Sequence, residues 1–405
     1  MGNATYIGRV GALAVALGIG VGLMATPVEA FAKPDKDSSA SSDSSTSKAN
    51  KTEKAPKAEK TSKAASDASA AKAPKPEKNI SISKNGVVVR QSGTAQAETP
   101  VGSTGTKAKA KGDGATATVT SGSKSRATAV GDGASATAGG GVKNSAKANG
   151  DGSTAAAGDD GTGGTNNNNN TARATGDNSQ AYAGSGGDDN NKNKATVDGD
   201  NSTAYAGANG NGNSNNTATV SGDTTTGVPG DNSVAGAGSF GNNNTNNRAT
   251  AIGQNAQAWA GGGTGPEVPE GGGPGNDSSG NVATATNTGS DSLIVVGAGV
   301  IGENNDNNTA TGTNTGSEAL LQVIAGSVGS DNSGNTATGT NSGSNTILQA
   351  FAGSLGDGNT DNTATATNSV DGGITAAGAG IFSDSNDGYD VTATDGETVV
   401  EPPEE

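Results

Sequence analysis

The feature that most constrains this chain is a repeat whose length keeps changing. Alanines next to Thr, Lys or Arg recur throughout the chain after its first hundred residues. They are Ala108, Ala127, Ala146, Ala172, Ala195, Ala218, Ala249, Ala283, Ala310, Ala337 and Ala364. Their spacing begins at 19 residues, passes through 34 and settles at 27, and each unit closes with a cluster of Gly, Asn and Asp. Such self-similarity indicates stacked supersecondary units rather than one globular core.

The composition argues against an enzyme. The 405 residues include no Cys, no His, one Trp and 68 Gly, and only 2% are aromatic. The usual general base and thiol nucleophile are therefore missing, which leaves carboxylates, Ser, Thr, Lys and Tyr for any chemistry. No grouping of these residues stands out in a chain so rich in Ser, Thr and Asp. We predict a non-enzymatic protein without catalytic or cofactor-binding residues.

The N-terminus has the pattern of a secretory leader. Val10–Met24 is an uncharged apolar run, too short to span a bilayer comfortably, and Ala30-Phe31-Ala32 before Lys33 fits a small-x-small cleavage site. Val28-Glu29-Ala30 is the alternative site. We predict a signal peptide over 1–32 and no transmembrane anchor in the mature chain, which would be released or held at the cell wall. The leader resembles those of exported mycobacterial proteins, which implies an actinobacterial source.

The composition after the leader divides the chain further. Residues 33–79 hold eleven Lys against seven acidic residues and no large apolar side chain, so we predict a disordered stalk, acting as a spacer or contacting anionic wall polymer or membrane. Residues 80–106 are predicted to form a hairpin cap and lead-in, because Asn85-Gly86 separates two strand-like runs. Narrow Ala-rich repeats over 107–281, aliphatic 27-residue repeats over 282–396 and an acidic tail over 397–405 complete the division.

One early repeat shows the predicted coil. Residues 126–130 (RATAV) alternate with period two, which places Ala on one face and longer side chains on the other. Residues 131–133 (GDG) supply a turn that tolerates positive φ, and a second alternating strand and a Gly/Asn-rich return follow. The predicted fold is all-β, an irregular β-solenoid or β-roll of about ten repeats rich in Ala, Gly, Asn and Thr. The alternative is a largely disordered, low-complexity chain.

The late repeats carry larger side chains than the early ones. Leu293–Val296 is a continuous aliphatic run, whereas 107–125 contains one large aliphatic residue, Val119. At roughly 1.5–3 kcal/mol per buried aliphatic side chain, the late coils are predicted to be the more stable ones. Because such a run is apolar on both strand faces, we expect a wider coil or self-association to cover the second face.

The charge is distributed unevenly along the chain. Arg248 is the last cation, and nineteen acidic residues follow it, an imbalance that argues against nucleic acid as a partner. A calcium site is one hypothesis for the acidic turns, since hard cations prefer oxygen ligands. The candidate ligands lie in 357–362 (DGNTDN) and at Asp331, Glu303, Asp306, Asp384 and Asp387. The alternative is that Asp and Asn are ordinary turn residues here.

A second pattern consists of threonines at alternate positions. It comprises Thr309, Thr311 and Thr313, then Thr336, Thr338 and Thr340, then Thr363, Thr365 and Thr367. Stacked at the ~4.7 Å spacing of adjacent strands, they would form a flat array of hydroxyl and methyl groups. That surface resembles those of β-solenoid ice-binding proteins. The alternative is that Thr is simply a favourable strand residue.

Two resemblances bear on function. Residues 248–261 (RATAIGQNAQAWAG) resemble the head repeat of trimeric autotransporter adhesins, a β-roll that binds host surfaces, and 334–338 (GNTAT) resemble curlin-type amyloid repeats. The first resemblance implies a structural or adhesive role at the cell surface or in extracellular matrix, with an unknown surface or matrix ligand. The second implies self-assembly into fibres or an amyloid-like matrix. Calcium binding and ice binding remain further alternatives.

Overall fold

The computed structural model describes residues 78–222, 231–262, 275–326, 329–353, 356–381 and 384–401. The predicted signal peptide, the cleavage residues Ala30, Phe31, Ala32 and Lys33, and the predicted stalk up to residue 77 lie outside the described residues. Within the described part the chain is all-β, as the sequence predicts.

The strands are short and numerous, as the period-two alternation of the repeats requires. They are β1 (Ile80–Lys84), β2 (Val87–Ser92), β3 (Gln96–Glu98), β4 (Lys107–Lys111), β5 (Thr116–Val119), β6 (Arg126–Val130), β7 (Ser135–Ala138), β8 (Ser145–Asn149), β9 (Thr154–Ala157), β10 (Thr171–Thr175), β11 (Gln180–Ala183), β12 (Lys194–Asp198), β13 (Thr203–Ala206), β14 (Thr217–Ser221), β15 (Val234–Ala237), β16 (Arg248–Ile252), β17 (Gln257–Ala260), β18 (Val282–Asn287), β19 (Leu293–Val295), β20 (Thr309–Asn314), β21 (Leu320–Ala325), β22 (Thr336–Asn341), β23 (Ile347–Ala352), β24 (Thr363–Asn368), β25 (Ile374–Ala379), β26 (Asp390–Thr394) and β27 (Thr398–Glu401).

Three sheets run along the solenoid. Sheet A has fourteen strands in the order β2-β1-β4-β6-β8-β10-β12-β14-β16-β18-β20-β22-β24-β26. Sheet B has eight, from β3 through the odd-numbered strands to β17, and sheet C has the five strands β19, β21, β23, β25 and β27. Each coil therefore contributes one strand to sheet A and one to sheet B or C. The change from sheet B to sheet C falls between β17 and β19, at the predicted boundary between narrow and aliphatic repeats.

The early coils are lined by alanine. Ala127 and Ala129 of β6 point inward and are at most 1% exposed, whereas Arg126 at the start of the same strand is exposed. The following turn needs glycine, because Gly131 has φ 129° and a Cβ there would collide with the carbonyl oxygen of Gly150 in the next coil. The inward alanines allow the two sheets of a coil to approach closely, so the early coils are narrow.

The late coils are wider, as the sequence predicts. The strands of sheets A and C in these coils reach six residues, and Leu321 and Val323 of β21 fill the interior. Opposite them sheet A places Gly339, where a Cβ would lie 2.8 Å from Val323 Cγ2. Part of the second face of sheet C is buried too, with Ile324 and Phe351 at most 3% exposed, whereas Ile347 and Ile374 on the same face are exposed. Large side chains on one wall are thus matched by small ones on the other.

Buried asparagines form columns along the return segments. The first column contains Asn167, Asn190, Asn213, Asn244, Asn305, Asn332, Asn359 and Asn386, and Ser278 takes the place of Asn in one of its coils. The second column contains Asn144, Asn170, Asn193, Asn216, Asn247, Asn281, Asn308, Asn335 and Asn362. Asn335 is typical of them. Its Nδ2 donates to Asn308 Oδ1 at 3.0 Å and to the Asn359 carbonyl oxygen at 2.8 Å, and its Oδ1 accepts from Asn362 Nδ2 at 3.0 Å. These amides satisfy backbone groups that the irregular returns leave unpaired.

The two ends of the solenoid differ. At the N-terminal end β1 and β2 form the predicted hairpin around Asn85 and Gly86, and β1 pairs antiparallel with β4, so the hairpin caps the parallel stack. At the other end β26 and β27 are the last strands of sheets A and C. Strand β27 extends into the segment predicted to be the acidic tail, and it pairs with β25.

Candidate interaction face

The outer face of sheet A is open along its whole described length. In each strand the residues that alternate with the inward alanines are exposed or half-buried, and none is buried. Because the coils pair in register, Thr311 beside Thr338 for example, equivalent side chains form straight columns along the solenoid. A flat face with columns repeating at about 4.8 Å is therefore available for contact.

The C-terminal part of this face is a threonine array. Its middle column is unbroken over eight coils: Thr196, Thr219, Thr250, Thr284, Thr311, Thr338, Thr365 and Thr392. In the three coils singled out from the sequence, flanking threonines extend the array to three columns. All nine face outward, because the alternating positions between them are buried. The column begins four coils earlier than the sequence pattern alone indicated.

The N-terminal part of the same face is basic. Lys109, Lys147 and Arg173 stand in the middle column, and Lys107 and Arg126 stand beside it. Sequence analysis predicted that the longer side chains of each strand face outward, but it did not predict that the cations of successive coils lie together. The sequence did contain a signal for this, because each of these cations occupies an alternate position of a strand with an Ala-x-Ala pattern.

Aspartates line the turn between sheets A and B. This column contains Asp113, Asp132, Asp151, Asp177, Asp200 and Asp231. From Asp132 onward, Oδ1 accepts from the backbone N–H of the preceding aspartate, for example Asp132 from Asp113 at 2.6 Å and Asp151 from Asp132 at 2.8 Å. The carboxylates thus bridge successive coils along the corner beside the basic face.

The candidate calcium ligands are engaged in similar bridges. Asp357 Oδ1 accepts from the backbone N–H of Ser330 at 2.7 Å, and Asp384 Oδ1 accepts from that of Asp357 at 2.9 Å. Asp306 accepts from Ser279, and Asp387 accepts from the Thr360 hydroxyl. Among the described residues no group of three acidic side chains is placed to hold a metal ion. The residues singled out are therefore stacked along the axis rather than brought together.

A small aromatic cluster lies on the outer face of sheet B. Tyr182 and Tyr205 of adjacent coils stack with ring centroids 5.2 Å apart, and Phe240 meets Tyr205 edge-on at 5.3 Å. Burial raises the pKa of Tyr205 to about 12, with Tyr182 adding to the shift. Burial and then Asp160 raise the pKa of Tyr182 as well. The rings pack mainly against one another, and this favours a stabilising role.

Comparisons with known proteins do not indicate a function for this chain, so function is inferred from the fold and its faces. No family model, curated protein or solved structure matches the chain. Across the described ranges, no helix has the length and apolar character needed to cross a membrane.

Proposed function

We propose that the protein is a secreted, non-enzymatic β-solenoid with a structural or adhesive role at the cell surface or in extracellular matrix, and that the outer face of sheet A is its contact surface. The observation that carries this proposal is the openness of that face over fourteen strands, in contrast to sheet C, where Ile324 and Phe351 are buried on the second face. A long, rigid, regularly decorated surface suits multivalent contact with a repetitive partner.

Cell fractionation with two matched variants tests the proposal. In the face variant, Glu replaces Thr128, Thr196, Thr311 and Thr338 in the middle column of sheet A. In the control, Glu replaces Thr116, Thr118, Ser135 and Thr137 on sheet B. We expect the natural protein and the control in the envelope fraction and several-fold more of the face variant in the medium. Recovery of the natural protein entirely as free protein, with no binding to isolated envelopes, would contradict the proposal, as would equal retention of the two variants.

The threonine array supports ice binding as a second candidate function. Its hydroxyl and methyl groups repeat at about 4.8 Å between coils and about 6.7 Å along each strand, which gives a flat two-dimensional lattice. Such a lattice can hold water molecules in an ordered layer that merges with a crystal face. The outward orientation of Thr311, Thr338 and Thr365 is the observation that favours this candidate.

Ice-crystal growth in the presence of the purified protein tests this candidate. We expect faceted crystals and a freezing point below the melting point, and loss of both effects in Thr311→Lys/Thr338→Lys. The control Thr116→Lys/Thr137→Lys, on sheet B, should keep them. Unmodified, rounded crystal growth with the natural protein would exclude ice binding and leave the adhesive role in place.

A further inference from the structure

The cations of the solenoid are gathered on one side. Every Lys and Arg of the described residues except Lys78 lies on the outer face of sheet A, on the hairpin, or at the corner where the return segment enters sheet A. Within the described part none of them forms an ion pair with a carboxylate. The basic strip is defined as Lys107, Lys109, Lys111, Lys124, Arg126, Lys143, Lys147, Arg173, Lys192 and Lys194.

The corner lysines occupy a position that the backbone disfavours for lysine. Lys124, Lys143 and Lys192 are exposed and lie two residues before a strand of sheet A, with φ of 57°, 62° and 58°. In the other coils this left-handed position holds Gly, Asn or Asp: Gly105, Asn169, Asn215, Asn246, Gly280, Asn307, Gly334, Asp361 and Gly388. Lysine is less favourable in this conformation than Gly, Asn or Asp. Lysine replaces the favourable residues only in the coils of the basic strip, which points to a role other than stability.

The surroundings of the strip define which ligand it fits. From the coil of Lys107 to that of Lys194 the strip runs about 19 Å along the axis, at about 4.8 Å per coil. Asp198 is the only carboxylate on the outer face of sheet A beside it, and the aspartate column from Asp113 to Asp231 stands next to Lys111, at the corner of sheet A away from Lys124, Lys143 and Lys192. An anionic chain is therefore attracted to the strip and repelled from that corner.

The chemistry of the strip favours a sugar polymer over nucleic acid. Hydroxyl side chains, Thr128, Ser145 and Thr171 among them, alternate with the cations and can exchange hydrogen bonds with sugar hydroxyls. No aromatic side chain lies on this face to stack with bases, and a flat strip follows a double helix over a short distance only. We infer that the basic strip binds a linear acidic polysaccharide lying parallel to the solenoid axis. This inference rests on the proposed function and names the partner of the N-terminal part of the same face.

Binding of the full mature chain to polygalacturonate, measured over a series of salt concentrations, tests the inference. The test variant is Lys124→Asn/Lys143→Asn/Lys192→Asn. The matched control, Asn211→Asp/Asn242→Asp/Asn276→Asp, changes the net charge by the same amount and keeps the Oδ1 acceptors of a column outside the basic strip.

We expect the test variant to bind on the order of ten- to one-hundred-fold more weakly, with a shallower salt dependence. Its melting temperature should be equal or higher, because Asn suits the left-handed position better than Lys does. The control should bind as the natural protein does. Unchanged affinity of the test variant would overturn the inference.

Other probes separate the remaining outcomes. Binding only to duplex DNA, to polyphosphate or to vesicles of anionic lipid would overturn the inference as well. Envelope retention without binding to polygalacturonate would overturn the inference alone and leave the proposed function standing. Binding to polygalacturonate by a protein that never associates with envelopes would contradict the proposed function.

Discussion

At the scale of single residues, the buried asparagines are the least replaceable part of the solenoid. Asn335, for example, joins three successive coils, because its amide bonds to both Asn308 and Asn362. Sequence analysis interpreted Asn as turn chemistry and did not predict the columns. The reason is physical, since the columns depend on register between coils that are separated by returns of changing length.

Replacement of Asn335 by Ala is predicted to destabilise the solenoid. The change leaves the Asn362 backbone N–H without its partner, in a position that is 0% exposed, and it removes one of the two donors to the Asn359 carbonyl oxygen, which keeps the Ser333 N–H. We expect a loss on the order of 3 kcal/mol in the free energy of unfolding measured by chemical denaturation, because each unpaired buried group costs about 1–3 kcal/mol. The control Thr340→Ala, on the exposed face of the same coil, should change it by less than about 0.5 kcal/mol. Equal losses of stability in Asn335→Ala and Thr340→Ala would contradict a stabilising role of the asparagine column.

The stacked tyrosines predict an alkaline transition. Tyr205 has a pKa of about 12 in the folded chain, above the ordinary tyrosine value of 10.0, so the unfolded chain loses that proton first as the pH rises. The stability contributed by Tyr205 is therefore complete below about pH 10 and is lost as the pH rises towards 12. Tyr205→Phe should weaken this alkaline dependence, measured as the melting temperature between pH 9 and pH 12. A variant as pH-sensitive as the natural protein would contradict the assignment.

At the scale of strands and turns, much of the fold was predictable from sequence. Alternation marked the strands of sheet A, Gly-Asp-Gly marked the turns, and Asn85-Gly86 marked the hairpin, because each is a local signal. The gathering of the cations on one face and the exchange of sheet B for sheet C are not local. Both depend on the register between successive coils, and the changing repeat length makes that register difficult to predict from the sequence.

Complementarity between sheets A and C gives a prediction at this scale. A Cβ at Gly339 would lie 2.7 Å from Leu348 Cδ2, so Gly339→Ala should overpack the coil and cost about 1–3 kcal/mol in the free energy of unfolding. In a chain that already carries Leu348→Ala the same change should cost at least about 1 kcal/mol less. Denaturation of the four proteins of this double-mutant cycle measures the coupling. Additive losses of stability would mean that Gly339 and Leu348 are not in close packing contact across the coil.

At the scale of the whole molecule, one sheet carries two chemically different surfaces. The N-terminal coils present the basic strip, and the C-terminal coils present the threonine array on the same outer face. The hairpin β1–β2 closes sheet A at one end with an antiparallel pair, so sheet A has no parallel edge there for head-to-tail stacking of identical coils.

The central claim is that the coils stack in register with the threonines in one straight column. The distance between spin labels at Thr196→Cys and Thr392→Cys tests it directly, because the natural chain contains no cysteine that would be labelled as well. Seven coil steps at about 4.8 Å predict a narrow distribution near 34 Å. A broad distribution centred at a much longer distance would contradict the stacked solenoid and the surfaces inferred from it.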